Sequence, residues 1–255
     1  MKRPSGMMHL WGPEAPPGMI PRLVRIYTPA GHDPARGGPL LLLFDGQNVF
    51  EDEPSYAGGW QTHRAIERLA RRRPRPVVVA VDHGGVERIR ELAPWDNHGA
   101  PGDLERLLDW IAGALLPRVR ATYGVGAGPA ATLVGGSSLG GLAALYAHFH
   151  RPEVFGGALA MSPSLWFAGR RLLGWLGERT TPWTSRIYLD CGAREARGAM
   201  LSLARILAEQ LRQRGYGRDR LRFREDPHGA HDERAWRRRL PAALRFLYPL
   251  PEGRG

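Results

Sequence analysis

Ser138 stands at the centre of a short motif whose residue types suit a nucleophile. Residues 136–140 read Gly-Ser-Ser-Leu-Gly and fit the pattern G-x-S-x-G, in which a serine occupies a sharp turn between a strand and a helix. Side chains two positions on either side would collide in such a turn, and Gly136 and Gly140 avoid that collision. The apolar residues that flank the motif favour this interpretation over a glycine-rich turn with incidental serines. The motif therefore predicts a Ser138 hydroxyl raised above a sheet, at the positive end of the following helix.

Two histidines near the carboxyl terminus are the candidate bases for Ser138. A serine hydroxyl is a poor nucleophile at neutral pH and needs a base within hydrogen-bond reach. We favour His231, because Gly229 gives its loop freedom and the closing helix is predicted to begin just after it. His228 is the alternative base, and two surface histidines without a catalytic role are the structural alternative.

Two carboxylates are candidates for the group that orients the base. On an α/β-hydrolase sheet the chain order is serine, acid, histidine. Glu195 follows the predicted strand at residues 185–191 and lies just past its end, where such an acid is expected. Asp190 lies inside the strand and is the alternative. We favour Glu195, although a glutamate that only pairs with Arg194 or Arg197 would look the same in sequence.

Backbone N–H groups at two predicted turns could stabilise the oxyanion formed when serine attacks an ester. One should belong to Leu139, which follows the nucleophile. The second should come from the turn after the apolar strand at residues 40–44, and therefore from Gly46 or Gln47.

Polar and aromatic residues near the predicted strand ends are candidates for a substrate pocket. Loops at the carboxyl ends of strands hold the ligands of α/β proteins, and loops as long as residues 82–102 are commonly functional. The aromatic segment 165–183, which also contains Trp183, is either a helical hairpin over the core or a lid over an acyl pocket. The candidate pocket residues are Asp45, Asn48, Trp95, Trp166 and Phe167.

The remaining pattern predicts an α/β protein with a mostly parallel central sheet flanked by helices. Strand and helix patterns alternate through most of the chain, which requires right-handed crossovers between parallel strands. The run at residues 40–44 is apolar throughout, as expected for a strand covered on both faces. We predict an irregular arm at residues 1–18, rich in proline and glycine, and a single domain at residues 19–255.

Charge and composition favour a small-molecule enzyme over a nucleic-acid or membrane protein. The formal net charge is +11, but Lys2 is the sole lysine, so the excess reflects a chain-wide arginine bias. The arginine runs at residues 71–73 and 237–239 are interpreted as solvated helix faces. No run is long enough to span a bilayer and no signal peptide is recognised, so a cytoplasmic location is expected. Cys191 is the only cysteine and the histidines are scattered, so no metal is assigned.

Five motifs in order resemble the Putative esterase family, which includes enterochelin esterase-like and antigen 85-related α/β hydrolases. These motifs occupy residues 44–48, 88–94, 136–141, 162–166 and 229–236. The resemblance implies an α/β-hydrolase fold and a serine esterase mechanism without cofactor, with Ser138 as nucleophile and His231 as base. Glu195 matches the Gly-x-x pattern of the acid loop in some relatives.

The leading hypothesis is therefore a serine carboxylic-ester hydrolase with a Ser-His-Glu triad. It would act through an acyl-enzyme on small-molecule esters, among which siderophore esters are one class. An acyltransferase on the same fold is a second hypothesis, because the acceptor depends on pocket shape. A non-catalytic interaction protein that keeps the hydrolase scaffold is a third.

Overall fold

A computed structural model describes residues 6–97, 99–181 and 185–251. Within these residues a single sheet of eight strands runs through the molecule. The strands are β1 (Met7–Glu14), β2 (Arg22–Thr28), β3 (Leu40–Phe44), β4 (Val77–Val81), β5 (Thr132–Ser137), β6 (Gly157–Met161), β7 (Arg186–Gly192) and β8 (Leu221–Asp226).

The sheet is mostly parallel, as the alternating pattern predicts. Its order is β1-β2-β4-β3-β5-β6-β7-β8. All neighbours from β4 across to β8 pair in parallel, whereas β2 is antiparallel to both β1 and β4. The parallel strands therefore end at one edge of the sheet, which brings the turns after β3, β5, β6, β7 and β8 together.

Helices cover both faces of this sheet. They are α1 (Thr62–Glu67), α2 (Arg88–Glu91), α3 (Leu104–Trp110), α4 (Leu116–Tyr123), α5 (Leu139–His150), α6 (Phe167–Gly177), α7 (Ala199–Gln213) and α8 (Glu233–Leu247). A π-helical turn at Ile111–Leu115 joins α3 to α4. No helix of the described ranges is both long and apolar enough to cross a lipid bilayer.

Strand β3 explains how the two layers share one sheet. Successive side chains of a strand point to opposite faces. Leu40, Leu42 and Phe44 enter the larger core with α3, α4, α5, α6 and α7, whereas Leu41 and Leu43 enter the smaller core with α1 and α8. A strand between two apolar layers has no solvated face, which is why this run is apolar throughout.

The amino-terminal segment differs from the irregular arm expected at residues 1–18. Residues 7–14 form β1, which pairs with β2 and places Met8 opposite Tyr27. The register shifts between Trp11 and Glu14, so the Gly-Pro pair at residues 12–13 lies at an irregularity within the strand. Trp11 stacks on Tyr123 at 5.7 Å, and this contact ties the edge strand to the helical layer.

Candidate active site

Ser138 occupies the sharp turn between β5 and α5 that its motif predicts. Its backbone has φ 54° and ψ −121°, a conformation that costs a non-glycine residue about 1–3 kcal/mol. A Cβ on Gly136 would lie 2.5 Å from the Gly140 carbonyl carbon, so only glycine allows the strand and helix to approach this closely. The Ser138 N–H donates to the Met161 carbonyl at 2.9 Å and anchors the turn to β6.

His231 reaches Ser138 from the loop between β8 and α8. Its Nε2 lies 2.9 Å from Ser138 Oγ, and its ring packs edge-on against Trp236 at 5.1 Å. The loop approaches the end of β7 because Gly229 and Gly192 meet there. A Cβ on Gly229 would lie 2.8 Å from the Gly192 Cα. Gly229 therefore permits a close backbone approach, in addition to the loop freedom expected of it.

Glu195 completes a hydrogen-bonded chain with these two residues. Its Oε2 lies 2.9 Å from His231 Nδ1, while its Oε1 accepts from Ser162 Oγ at 2.7 Å and from the Gly192 N–H at 2.8 Å. Burial of Glu195 opposes ionisation, but the hydrogen bonds from His231, Ser162 and Gly192 outweigh it and hold the pKa of Glu195 below its ordinary value. The carboxylate is thus charged at neutral pH and lies within hydrogen-bond distance of the imidazole.

Arg239 lies beneath this chain, between two buried carboxylates. Its Nε is 3.4 Å from Asp190 Oδ2, its Nη1 is 3.5 Å from Glu195 Oε1, and its Nη2 donates to Ser162 Oγ at 2.9 Å. Burial raises the pKa of Asp190 to about 7, although Arg239 acts in the opposite direction. We call Asp190, Glu195 and Arg239 the buried network.

A cavity of about 530 Å³ opens beside Ser138 and His231. Arg88 crosses one wall and donates two hydrogen bonds to Asp45, at 2.6 and 2.8 Å. Glu233, the first residue of α8, lines the same cavity. We call Asp45, Arg88 and Glu233 the cavity charges.

The expected pocket residues Asp45 and Asn48 both line this cavity. Both carboxylate oxygens of Asp45 accept hydrogen bonds from Arg88, whereas Asn48 Nδ2 donates to Glu233 Oε1 at 3.3 Å. Their position follows from the turn at the end of β3, where Asp45 adopts a left-handed backbone conformation with φ 56°.

The candidate oxyanion donors lie on two turns at this edge of the sheet. Leu139 is the first residue of α5, where a backbone N–H has no partner within the helix. Gly46 and Gln47 belong to a 3₁₀ turn after β3, and Gln47 lines the cavity. Glycine is required at Gly46, because a Cβ there would lie 2.7 Å from the carbonyl carbon of Ala80 and 2.8 Å from its oxygen.

The aromatic pocket candidates lie elsewhere. Trp95 is buried against Tyr146 and Trp175, and it belongs to the core on one face of the sheet. Phe167 is buried in the same core. Trp166 is 54% exposed and is not among the described residues that line the cavity. Trp95 and Phe167 are therefore packed in the core instead of lining the cavity.

Residues 165–183 were expected to form either a helical hairpin over the core or a lid over an acyl pocket. The described part of this segment packs as a helix on the core. Helix α6 packs against the core through Leu172, Leu173 and Leu176. Trp183 falls outside the described residues.

The alternative base and acid are not in contact with Ser138. His228 lies at the surface with its Nδ1 3.3 Å from an Arg194 nitrogen. Asp190 contacts Arg239 and accepts from the Ser162 N–H at 3.3 Å.

Sequence reasoning missed the residues that support Glu195, chiefly Arg239 and Ser162. Arg239 was interpreted as part of a solvated run, but its side chain is only 7% exposed, against 58% for Arg238. The signal was present, because Trp236, Arg239 and Leu240 follow the three- and four-residue spacing of one helix face. Ser164 was also missed as a neighbour, and its Oγ lies 3.2 Å from Ser138 Oγ.

The sequence matches the model of the Esterase family, described as Putative esterase, over residues 21–247. It is 29% identical over 250 residues to the Iron(III) enterobactin esterase of Dickeya dadantii (strain 3937), covering 89% of this chain and 51% of that protein. The chain thus spans about half the length of this curated relative.

Solved structures show the same fold. The BES protein from Bacillus cereus superposes with a TM-score of 0.76 at 21% identity, covering 94% of each chain. The enterobactin esterase FES from Shigella flexneri, crystallised in the presence of enterobactin, gives a TM-score of 0.71 at 28% identity. That match covers 95% of this chain and 58% of the FES chain.

Proposed function

Because the chain belongs to the Putative esterase family, we propose that it is a carboxylic-ester hydrolase that forms an acyl-enzyme on Ser138. The observation that carries this proposal is the hydrogen-bonded chain from Ser138 through His231 to Glu195, with both contacts at 2.9 Å. Its order and distances match a nucleophile, a base and an orienting acid.

In the first half of the reaction, Ser138 Oγ attacks the ester carbonyl while His231 Nε2 accepts the hydroxyl proton. Glu195 stabilises the imidazolium through Nδ1 and holds the tautomer that leaves Nε2 free. The bond from carbonyl carbon to alcohol oxygen then breaks, and His231 returns its proton to the departing alcohol. The acyl group remains on Ser138.

In the second half, water attacks the acyl carbon and gives its proton to His231. The bond to Ser138 Oγ breaks, the serine regains its proton and a carboxylic acid is released. The oxyanion of both halves would be bound by the Leu139 N–H together with a backbone N–H of Gly46 or Gln47, all at the carboxyl edge of the sheet.

The substrate we propose is a small ester that fits the cavity of about 530 Å³. Its lining is mixed in polarity, with Asn48, Gln47 and Trp236 beside the charged groups. Siderophore esters are a second, narrower candidate, favoured by the relative named Iron(III) enterobactin esterase.

The test is hydrolysis of p-nitrophenyl butyrate by wild type and by Ser138→Ala. We expect kcat of the variant to fall by about 10³-fold or more, because the nucleophile is lost while binding remains. Ser164→Ala is the matched control, since it removes the hydroxyl 3.2 Å from Ser138 Oγ and leaves the proposed nucleophile in place. Equal rates for wild type and Ser138→Ala would reject the mechanism. Adding competing alcohols and identifying the products by mass spectrometry would distinguish hydrolysis from acyl transfer.

A further inference from the structure

The cavity beside Ser138 is richer in carboxylates than in cations. Among the described residues that line it, Asp45, Asp232 and Glu233 face a single arginine, Arg88. His83 also lines the cavity, and burial lowers its pKa, so its ring is neutral at pH 7. This local balance is the reverse of the whole chain, whose formal net charge is +11.

Two of the three carboxylates already have partners. Both oxygens of Asp45 accept from Arg88. Asp232 caps α8, with its Oδ1 accepting from the Ala235 N–H at 2.8 Å. Asp45 is therefore compensated by a cation, whereas Asp232 is tied to the helix terminus through one oxygen.

The hydrogen bonds that Glu233 accepts come from neutral groups. It is 6% exposed, and among the described residues its carboxylate accepts from Asn48 Nδ2 at 3.3 Å and from its own backbone N–H. No nitrogen of a described arginine or histidine lies within ion-pair distance of it. Burial raises the pKa of Glu233, and the neighbouring charges of Asp232 and Asp45 add to that effect. The hydrogen bond from its own backbone N–H and the charge of His231 oppose it without cancelling it. A cation placed in the cavity would compensate this carboxylate.

The helix position of Glu233 does not explain its placement. An acid at the first residue of a helix gains from the helix dipole. An exposed side chain would obtain the same benefit without the cost of burial. The dipole thus accounts for the residue type, but not for a buried carboxylate against the cavity wall.

From this arrangement we propose that the cavity selects esters that carry a cationic group, and that Glu233 is the residue that recognises the cation. The ligand class is an ammonium or quaternary ammonium ester. The inference rests on the proposed esterase function and names its substrate class. The positive surface of the protein repels a cationic ester only weakly, because charges beyond about 8 Å are screened at physiological ionic strength.

The test compares esters that differ in charge but not in shape. Butyrylcholine and 3,3-dimethylbutyl butyrate place the difference on the alcohol. The p-nitrophenyl esters of 4-(trimethylammonio)butyrate and 5,5-dimethylhexanoate place it on the acyl group. For wild type we expect kcat/KM to favour the cation by about tenfold in at least one pair, the effect of a close and partly desolvated charge pair.

Glu233→Gln keeps the shape of the side chain and removes its charge. We expect the preference for the cation to disappear in this variant. Glu209→Gln makes the same change of charge on the exposed face of α7 and should retain the preference. If Glu233→Gln does not fold, Glu233→Asp, which withdraws the charge by one methylene, should lower the preference at least about threefold. A preference for the neutral ester in both pairs, or one unchanged by these Glu233 variants, would overturn the proposal.

A binding measurement separates this proposal from the esterase function. Choline and 3,3-dimethylbutan-1-ol are titrated into Ser138→Ala, and line broadening of their methyl resonances is followed by NMR. We expect broadening for choline, absent for the neutral alcohol and lost in Ser138→Ala/Glu233→Gln. If choline binds but no ester is hydrolysed, the proposed cation site stands and the proposed esterase function is rejected. If neutral esters are hydrolysed but there is neither choline binding nor a preference for the cationic ester, the esterase function stands and the proposed cation site is rejected.

Discussion

The buried network and the cavity charges have the same composition, one arginine and two carboxylates, but they differ in solvation and in how the arginine is shared. In the buried network the side chain of Arg239 is 7% exposed, and it divides its nitrogens between Asp190, Glu195 and Ser162. Among the cavity charges the side chain of Arg88 is 29% exposed, and it gives both of its hydrogen bonds to one carboxylate.

In each set one carboxylate has a raised pKa. Asp190 is enclosed by protein and no ligand can reach it, so protonation is what removes the charge that Arg239 does not fully compensate. Glu233 faces a cavity, so a ligand can supply the missing charge. An arginine beside two carboxylates can therefore either stabilise the protein interior or form part of a binding site. Whether a ligand can reach the carboxylates determines which of these roles applies.

The largest effect that sharpens this comparison is expected at Glu195. Glu195→Gln leaves the shape intact but offers His231 the wrong hydrogen-bonding group, so we expect kcat on p-nitrophenyl butyrate to fall by about 10³- to 10⁴-fold. Asp190→Asn, in the same network but out of contact with His231, should cost less than about tenfold. Equal losses in the two variants would show that the network acts as one unit rather than through Glu195.

The next effect concerns stability. Arg239→Met leaves two buried carboxylates without their cation, and we expect the free energy of unfolding to fall by about 3–5 kcal/mol. Arg88→Met leaves Asp45 beside a water-accessible cavity, so its cost should be smaller, about 1–2 kcal/mol. Urea unfolding monitored by circular dichroism measures both.

Arg238→Met is the matched control on the neighbouring residue of α8. Its partner Asp226 forms an ion pair with an arginine side chain that is 58% exposed, so the cost should stay below about 1 kcal/mol. A cost for Arg239→Met no larger than that of Arg238→Met would contradict the buried network.

The last effect is a dependence of stability on pH. Because the folded state raises the pKa of Asp190 to about 7, it binds the proton more tightly than the unfolded chain. This group therefore removes stability as pH rises from about 4 to about 7. Relative to wild type, Asp190→Asn should gain about 3–4 kcal/mol across that window, because one pKa unit corresponds to about 1.4 kcal/mol.

Glu195, whose pKa is lowered, acts in the opposite sense: its contribution is present above its unfolded pKa and is lost as pH falls through its folded pKa. Urea unfolding at a series of pH values separates the two carboxylates. A constant difference between wild type and Asp190→Asn would show that Asp190 stays charged.

The framework of the fold could be read from the sequence because it depends on local patterns. The apolar run at residues 40–44 became β3, and the alternation of strands and helices gave the mostly parallel sheet. The turn around Ser138 could also be predicted, because the clash between a Cβ at residue 136 and the backbone of Gly140 involves only five consecutive residues. The strand at residues 7–14 was not, since its stability depends on pairing with β2 and on the stack of Trp11 against Tyr123.

The candidate site divides in the same way. Sequence alone supplied the serine, and it supplied two histidines and two carboxylates without a means of measuring which pair meets. Only the tertiary structure placed His231 and Glu195 in contact, turned Arg239 inward while Arg238 remained exposed, and set Glu233 against the cavity. The physical reason is that strain and periodicity are properties of neighbouring residues. Hydrogen bonds and burial, in contrast, depend on distances between segments far apart in the chain, and packing determines those distances.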